Sequence, residues 1–233
     1  SSEINLGSVR DINSSVFVRQ ASLGNPNLKS ASSTNYNLGF IYQFKATTLS
    51  LDLWEIDYEN RIEVESAQAI LSSNPNGPSV TRNEFGDLIG VSTTYFNEEN
   101  TFISGIDFQF EYLMEISKGD LSINIMGTSL TDFLTPSLNS PNKMINRIGK
   151  FNFDNHVHSL PKKRINSFIN WSYKNFVLGF STRYIDGYKN EREITGLGLT
   201  YGYQNTVKSF LVHDISFKAT KGDLSYSVYL SNL

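Results

Sequence analysis

The chain has 233 residues, a formal net charge of −3 and a pI near 5.6, so the broad basic surface of a nucleic-acid-binding protein is missing and no nucleic-acid partner is expected. The absence of cysteine excludes disulfides, thiolate metal sites and thiol nucleophiles, and no apolar run approaches the about 20 residues of a membrane-spanning helix. The chain begins at Ser1 without the basic start and apolar core of a signal peptide, which leads us to expect a mature or truncated piece.

Eight segments alternate apolar and polar residues with a period of two, which predicts β-strands. In the first, Tyr36, Leu38 and Phe40 alternate with Asn35, Asn37 and Gly39. The eight segments are residues 34–44, 49–58, 105–116, 121–125, 169–173, 176–184, 211–218 and 224–230. In the second, the apolar parity switches after Leu53 to Ile56 and Tyr58, which predicts a β-bulge near Trp54.

Short and long connections alternate between these segments. Tight turns rich in Lys, Gly, Asn and Asp are predicted at residues 45–48, 117–120, 174–175 and 220–223, and long polar links at residues 65–100, 131–163 and 186–206. Transmembrane barrels have short turns at one rim and long loops at the other, with strands of about 9–11 residues. The pattern therefore favours an antiparallel transmembrane β-barrel over a soluble β-sandwich.

Aromatic residues lie near the ends of the apolar stripes. Transmembrane barrels have such aromatic girdles at both membrane interfaces. The residues concerned are Tyr36, Phe44, Tyr58, Tyr112, Trp171, Tyr173, Tyr184 and Phe217. In a sandwich, by contrast, Phe40, Phe108 and Leu178 would be buried between two sheets.

Several motifs, in this order, resemble those of TonB-dependent receptor barrels. They are GNPNLK at residues 24–29 with the strand that follows at 33–40, LDLWEIDYENRI at 51–62, the segment 101–107 with Gly-Ile-Asp at its end, LPKKRIN at 160–166 and SNL at 231–233. The first departs from the family form at Ser30 and Ala31, where Pro and Glu are usual.

The resemblance implies a fold and a set of partners. It implies that residues 1–233 are the C-terminal portion of an about 22-stranded barrel, about eight strands forming an open curved sheet, without the plug domain, the TonB box or the last strand. It implies an outer-membrane receptor of a Gram-negative bacterium that imports a scarce nutrient, such as a siderophore, vitamin or oligosaccharide. The partners implied are the TonB energy-transducing complex, acting through the plug, outer-membrane lipid and lipopolysaccharide, and a small-molecule nutrient.

Polar residues on the parity opposite to the apolar stripes should line the lumen and contact plug, water or ligand. The candidates are Asn35, Asn37, Asp107, Gln109, Glu111, Asn124, Asn170, Arg183 and Asp214. In receptors of this type, the resemblance implies, ligand specificity lies mainly in outer loops and plug apices, so residues 65–100 and 131–163 are better candidates for ligand binding than the lumenal residues.

Other chemical motifs are weak. His156 and His158 share a parity but lack an evident third ligand, and Gly196-Leu197-Gly198 lacks the strand and helix of a dinucleotide fingerprint. His213 and Asp214 are strand neighbours that face opposite sides, so no triad is expected. No metal, cofactor or catalytic residue is therefore predicted.

Two charged groups have alternative interpretations. The acidic residues near Arg61 would bind a cation or form a solvated, internally paired rim. Lys162, Lys163 and Arg164 would meet lipopolysaccharide phosphate or an anionic ligand, or are ordinary strand-edge charge.

Two functional classes compete with an active transporter. A passive porin would share the alternation but lack plug and energy coupling, and a soluble β-rich binding module would use exposed aromatics as sugar platforms.

Overall fold

A computed structural model describes residues 2–11, 14–137, 140–151, 160–190 and 205–233. In chain order the elements are β1 (Ser2–Asp11), β2 (Ser14–Leu23), β3 (Ser32–Phe44), β4 (Thr47–Glu59), β5 (Arg61–Val64), α1 (Ala67–Ser73), β6 (Val80–Arg82), β7 (Leu88–Glu98), β8 (Thr101–Ile116), β9 (Gly119–Ser137), β10 (Ser140–Asn146), β11 (Lys150–Phe151), β12 (Lys163–Tyr173), β13 (Phe176–Ile185), β14 (Tyr188–Asn190), β15 (Thr206–Val207), β16 (Phe210–Lys221) and β17 (Leu224–Leu230). The described chain is therefore predominantly β-structure, which confirms the predicted all-β class.

The largest sheet contains all eight predicted strands. Its order is β17-β16-β13-β12-β9-β8-β4-β3, with β10 paired to β9 beyond this path. Every neighbouring pair is antiparallel. Strands that follow one another in the path are joined by the predicted turns and links, as in an up-and-down meander.

Four two-residue turns lie at one end of this sheet, which we call the turn rim. They are Lys45-Ala46, Ser117-Lys118, Lys174-Asn175 and Gly222-Asp223. The three long links all lie at the opposite end, since the strands are antiparallel. The predicted alternation of short and long connections is thus confirmed.

The apolar stripes form one face of the sheet, the apolar face, and no described part of the chain packs over it as a second layer. Leu38 is 70% exposed, Phe40 58% and Leu178 44%. A sandwich core would bury these side chains, so the sandwich interpretation is wrong for the described sheet.

No bulge occurs at Trp54, and this prediction is wrong. The register of β4 runs unbroken against both β3 and β8, which places Trp54, Ile56 and Tyr58 on the face opposite Leu53. Tyr58 therefore does not tip the apolar face. The parity switch in the sequence reflects a change of environment, because Glu55 and Asp57 now occupy the outward positions near the long-link end of the strand.

The link 65–100, predicted only as a long polar connection, forms part of a second sheet, the outer sheet. This sheet has the order β1-β2-β7-β5, with β6 also on β7, and β2 runs parallel to β7. A small core lies between this sheet and α1. It consists of Val9, Val18, Ala67, Leu71, Leu88 and Val91.

The outer sheet also begins upstream of the predicted strands, because β1 and β2 form a hairpin that the alternation did not reveal. A third, three-stranded sheet joins β11, β14 and β15 within the other two links. No helix in the described residues has the length and hydropathy needed to cross a membrane.

Candidate functional site: the polar face and the outer sheet

All nine predicted lumenal residues lie on one face of the large sheet, the polar face. The register shows this, because residues paired across antiparallel strands point to the same side. The connecting pairs are Gly39↔Asp52, Asp52↔Asp107, Asp107↔Thr128, Asn124↔Phe168, Asn170↔Gly179 and Ser181↔Asp214. The structure thus places all nine residues on the polar face. Their role in ligand contact stays a prediction.

Two carboxylates are directly paired on this face. Asp52 and Asp107 occupy facing positions of β4 and β8. Thr128 Oγ1 donates to Asp107 Oδ1 at 2.6 Å, and Ser50 Oγ donates to Asp52 Oδ2 at 3.3 Å. Gly39 leaves room for Asp52, since a Cβ there would lie 2.6 Å from Asp52 Oδ1. The pair forms a negative patch held by hydroxyl donors.

A second cluster on the polar face surrounds Glu111. Gln109 Nε2 donates to Glu111 Oε1 at 2.7 Å, and Asn124 Nδ2 donates to the same oxygen at 3.1 Å. The carbonyl Oδ1 of Asn124 is buried and has no hydrogen-bond partner among the described residues. This cluster orients Glu111 and leaves one acceptor available to a donor from elsewhere.

A third cluster carries the only predicted cation. Arg183 Nη2 lies 3.5 Å from Asp214 Oδ2, and both side chains are partly exposed. Asp214 also accepts from the Ser181 hydroxyl at 3.4 Å and from the backbone N–H of Asn232 at 3.1 Å. Asp214 therefore anchors the segment after β17, and Arg183 retains exposed surface for an anionic contact.

Trp54 is a functional candidate that sequence reasoning missed, because the predicted bulge turned it outward. It faces Gly105 across the β4–β8 pair, and a Cβ at Gly105 would lie 2.5 Å from Trp54 Cζ2. Two of the resemblance motifs therefore meet at this contact. The Trp54 Nε1 is buried without a hydrogen-bond partner in the described part of the chain. Asp52 was missed as well, although its alternation with Leu51 and Leu53 is a usable signal.

An ion pair ties β6 to β1 within the outer sheet. Arg82 donates to both carboxylate oxygens of Asp11, at 2.7 and 2.8 Å, and to the carbonyls of Pro75 and Gly86. The hydrogen bond from Arg82 outweighs desolvation and lowers the pKa of Asp11 below its ordinary value. Both groups stay charged near neutral pH, so the tie is intact there.

Arg61 organises the acidic rim, as the internally paired interpretation predicted. It contacts Glu63 at 2.9 Å and donates from Nε and Nη2 to Glu98 Oε2. Thr101 donates to the same Glu98 oxygen at 3.0 Å. Burial raises the pKa of Glu63, an effect that Arg61 opposes and Glu98 reinforces.

The GNPNLK motif lies in a strap, residues 24–31, that crosses the paired strands β5 and β7. Asn25 Nδ2 donates to the carbonyl of Tyr95 at 2.9 Å. Asn97 accepts from the Lys29 backbone N–H at 2.8 Å and donates to the carbonyls of Lys29 and Asn60. These contacts give the motif a structural role in fixing the connection from β2 of the outer sheet to β3 of the large sheet.

The remaining motifs do not assemble a reactive site. His213 lies on the apolar face, where its Nδ1 is 2.9 Å from Thr182 Oγ1 and its ring stacks on Phe180, while Asp214 lies on the other face. His156, His158 and Gly196-Leu197-Gly198 lie outside the described residues. Across the described ranges, no three His, Cys, Asp or Glu side chains converge to hold a metal ion.

Lys162, Lys163 and Arg164 lie at the long-link end and are exposed. Their contact with lipopolysaccharide or an anionic ligand stays a prediction.

Comparison with known proteins agrees with this architecture. The family model described as TonB dependent receptor-like, beta-barrel, matches residues 7–233, and no curated protein matches. Similar solved structures include the ferric enterobactin receptor PfeA of Pseudomonas aeruginosa, with 14% identity over 92% of this chain and 27% of that chain and a TM-score of 0.57. The siderophore receptor PirA of Acinetobacter baumannii has 17% identity over 94% and 30% of the two chains and a TM-score of 0.58.

The ferripyoverdine receptor of the outer membrane of Pseudomonas aeruginosa has 16% identity over 88% of this chain and 24% of that chain, with a TM-score of 0.52. This chain spans 24% to 30% of the length of these three receptors. At such identities the likeness shows the fold. The family is one of transport receptors, and the match over nearly all of the chain shows that this protein belongs to the TonB-dependent receptor family and supplies strands of its β-barrel.

Proposed function

We propose that the chain is the C-terminal part of an outer-membrane receptor that imports a ferric siderophore by TonB-coupled active transport. One observation carries the proposal: the eight long strands present an uncovered apolar face and a continuous polar face, as a membrane-spanning barrel wall requires. Family membership supports the coupling to TonB through a plug. Siderophores are favoured over vitamins and oligosaccharides because the similar structures are siderophore receptors.

On this proposal the polar face encloses an aqueous lumen and contacts a plug. The Asp52–Asp107 patch, the Glu111 cluster and Arg183 would meet polar groups of the plug or the passing cargo. The outer sheet would stand on the extracellular side, because it continues from the long-link end of the strands. Ligand contact would then fall to this sheet and to the other long links, as the resemblance implies.

Uptake of radioactive iron tests the proposal. The protein at its full natural length is produced in a strain lacking its own copy, and cells are offered catecholate, hydroxamate and mixed-ligand ferric siderophores. We expect accumulation of one class against its gradient, and loss of that accumulation on deletion of TonB or addition of a protonophore. Accumulation that survives both treatments, or only downhill entry, would support a passive porin and reject the proposal.

A matched pair of variants tests the polar face. Asp52→Asn with Asp107→Asn removes the negative patch, whereas Asp223→Asn makes the same chemical change in an exposed turn. We expect the double variant to lower uptake several-fold with the heat-modifiable folded band retained, and Asp223→Asn to leave uptake unchanged. Equal uptake by all three proteins would contradict a role for the patch.

A further inference from the structure

Two lysines of the turn rim adopt a backbone conformation that is energetically unfavourable for lysine. Lys45 and Lys174 are the first residues of their two-residue turns and have φ values of 51° and 53°. The corresponding residue of the last turn is Gly222, with φ 58°. This left-handed region favours Gly and Asn, so lysine is an unfavourable choice for the turn itself.

Both lysines reach back onto the aromatic residues of the apolar face. Lys45 Nζ lies 5.3 Å from the centre of the Phe44 ring, and Lys174 Nζ lies 5.1 Å from that of Tyr173. Tyr173 in turn stacks on Trp171 at 6.0 Å. A cation over an aromatic face at the end of an apolar stripe is placed where acyl chains give way to headgroups.

Four of the five lysines near this rim lie in the turns or on the apolar face, and Lys218 lies on the polar face. Lys221 ends β16 on the parity of Phe217, on the apolar face, and Lys118 lies in the turn beside Trp171, whose Nε1 donates to its carbonyl at 2.8 Å. The acidic residues Glu115 and Asp120 face each other on the polar face. Asp223 is the one acidic residue within the four turns.

From this arrangement we infer that the turn rim binds the phosphate groups of anionic phospholipid, of the phosphatidylglycerol type, through Lys45, Lys174 and Lys221. The lysine stems cover aromatic surface while the ammonium groups reach the headgroup layer. The aromatic residues Phe44, Trp171 and Tyr173 set the depth at which the turn rim lies in the bilayer. The lysines favour lipids with negatively charged headgroups. The inference rests on the membrane placement proposed above and is independent of the cargo.

The test uses the protein at its full natural length in nanodiscs of phosphatidylcholine with an equal amount of phosphatidylglycerol. Native mass spectrometry then counts the lipids retained. The variant Lys45→Asn, Lys174→Asn, Lys221→Gln removes the charges, and asparagine suits the left-handed turn positions. The control, Lys29→Gln, Lys143→Gln, Lys208→Gln, removes three exposed lysines from the long-link end.

We expect the wild type and the control to retain phosphatidylglycerol preferentially, and the turn-rim variant to lose about fivefold in relative affinity for each lysine removed. In detergent alone, that variant should be at least as heat-stable as the wild type, because its turns are relieved. Equal lipid preference in the turn-rim variant and the wild type would overturn the inference, as would a preference of the rim for lipid A over phosphatidylglycerol in discs containing both. Failure to insert into any bilayer would instead refute the proposed function.

Discussion

Substitution of Gly119, next to the second turn, tests how closely β9 approaches β12. Gly119 has φ 102°, and a Cβ there would lie 1.9 Å from the carbonyl oxygen of Ser172 and 3.0 Å from the Cα of Tyr173. Both contacts are backbone atoms of β12, so no side-chain rotation relieves them. Gly222 has φ 58° with no atom within 4 Å of its Cβ position, and it serves as a matched control.

Alanine at these two positions separates backbone strain from steric overlap. Gly222→Ala should cost only the left-handed conformation, ~1–2 kcal/mol. Gly119→Ala adds the displacement of a neighbouring strand, which overpacking studies value at ~1–3 kcal/mol, for a total of ~2–5 kcal/mol. The larger cost should appear because β9 must separate from β12 or the turn must change.

Urea unfolding of the full-length protein in detergent micelles measures both variants, with the heat-dependent shift of the folded band on gels as a check of barrel formation. We expect the Gly119→Ala midpoint to fall well below that of Gly222→Ala. If Gly119→Ala proved no more destabilising than Gly222→Ala, the close approach of β9 to β12 at this turn would be refuted.

Three other outcomes concern the outer sheet and its strap. Arg82→Met should speed hydrogen exchange in residues 2–11 and 67–98 several-fold, because Asp11 loses its guanidinium partner; unchanged exchange would contradict the tie. Because the pKa of Glu63 in the folded protein is raised, its charged form is disfavoured. Glu63→Gln should therefore stabilise the outer sheet at neutral pH, and this gain should disappear as the pH falls. The pKa of Asp11 in the folded protein is lowered, so Asp11→Asn should destabilise the outer sheet at neutral pH and match the wild type in acid. Profiles of the same sign for these two variants would refute the assigned causes. Asn97→Ala removes three hydrogen bonds worth ~2 kcal/mol in total and should expose residues 24–31 to protease, whereas resistance equal to the wild type would argue against the strap.

The large sheet could be predicted from the sequence because each of its strands is marked by an alternation of apolar and polar residues within the strand itself. Each membrane-length strand repeats an apolar residue at every second position, and a shift of one residue would turn all of them to the polar face. Alternation therefore fixed both the strands and the nine residues of the polar face.

The outer sheet could not be predicted, since its strands pair over long distances in the chain. The parallel pairing of β2 with β7 joins residues about 70 positions apart, and β1 has apolar residues on both faces, Leu6 exposed and Val9 buried. Trp54 shows a different failure. A change of polarity along β4 looks the same in the sequence whether the strand shifts register or leaves the bilayer, and only the pairing partners distinguish the two.

The small core between the hairpin β1–β2 and the segment 65–100 limits which segments can be exchanged between receptors of this kind. Val9 and Val18 come from one segment, and Leu71 and Val91 from the other, while the strap after β2 is hydrogen-bonded to Tyr95 and Asn97 of β7. A chimera that grafts the segment 65–100 alone onto another barrel would leave these apolar side chains without their complement. Recombination or engineering that preserves a working outer surface must therefore transfer residues 2–31 and 65–100 as a single inherited unit.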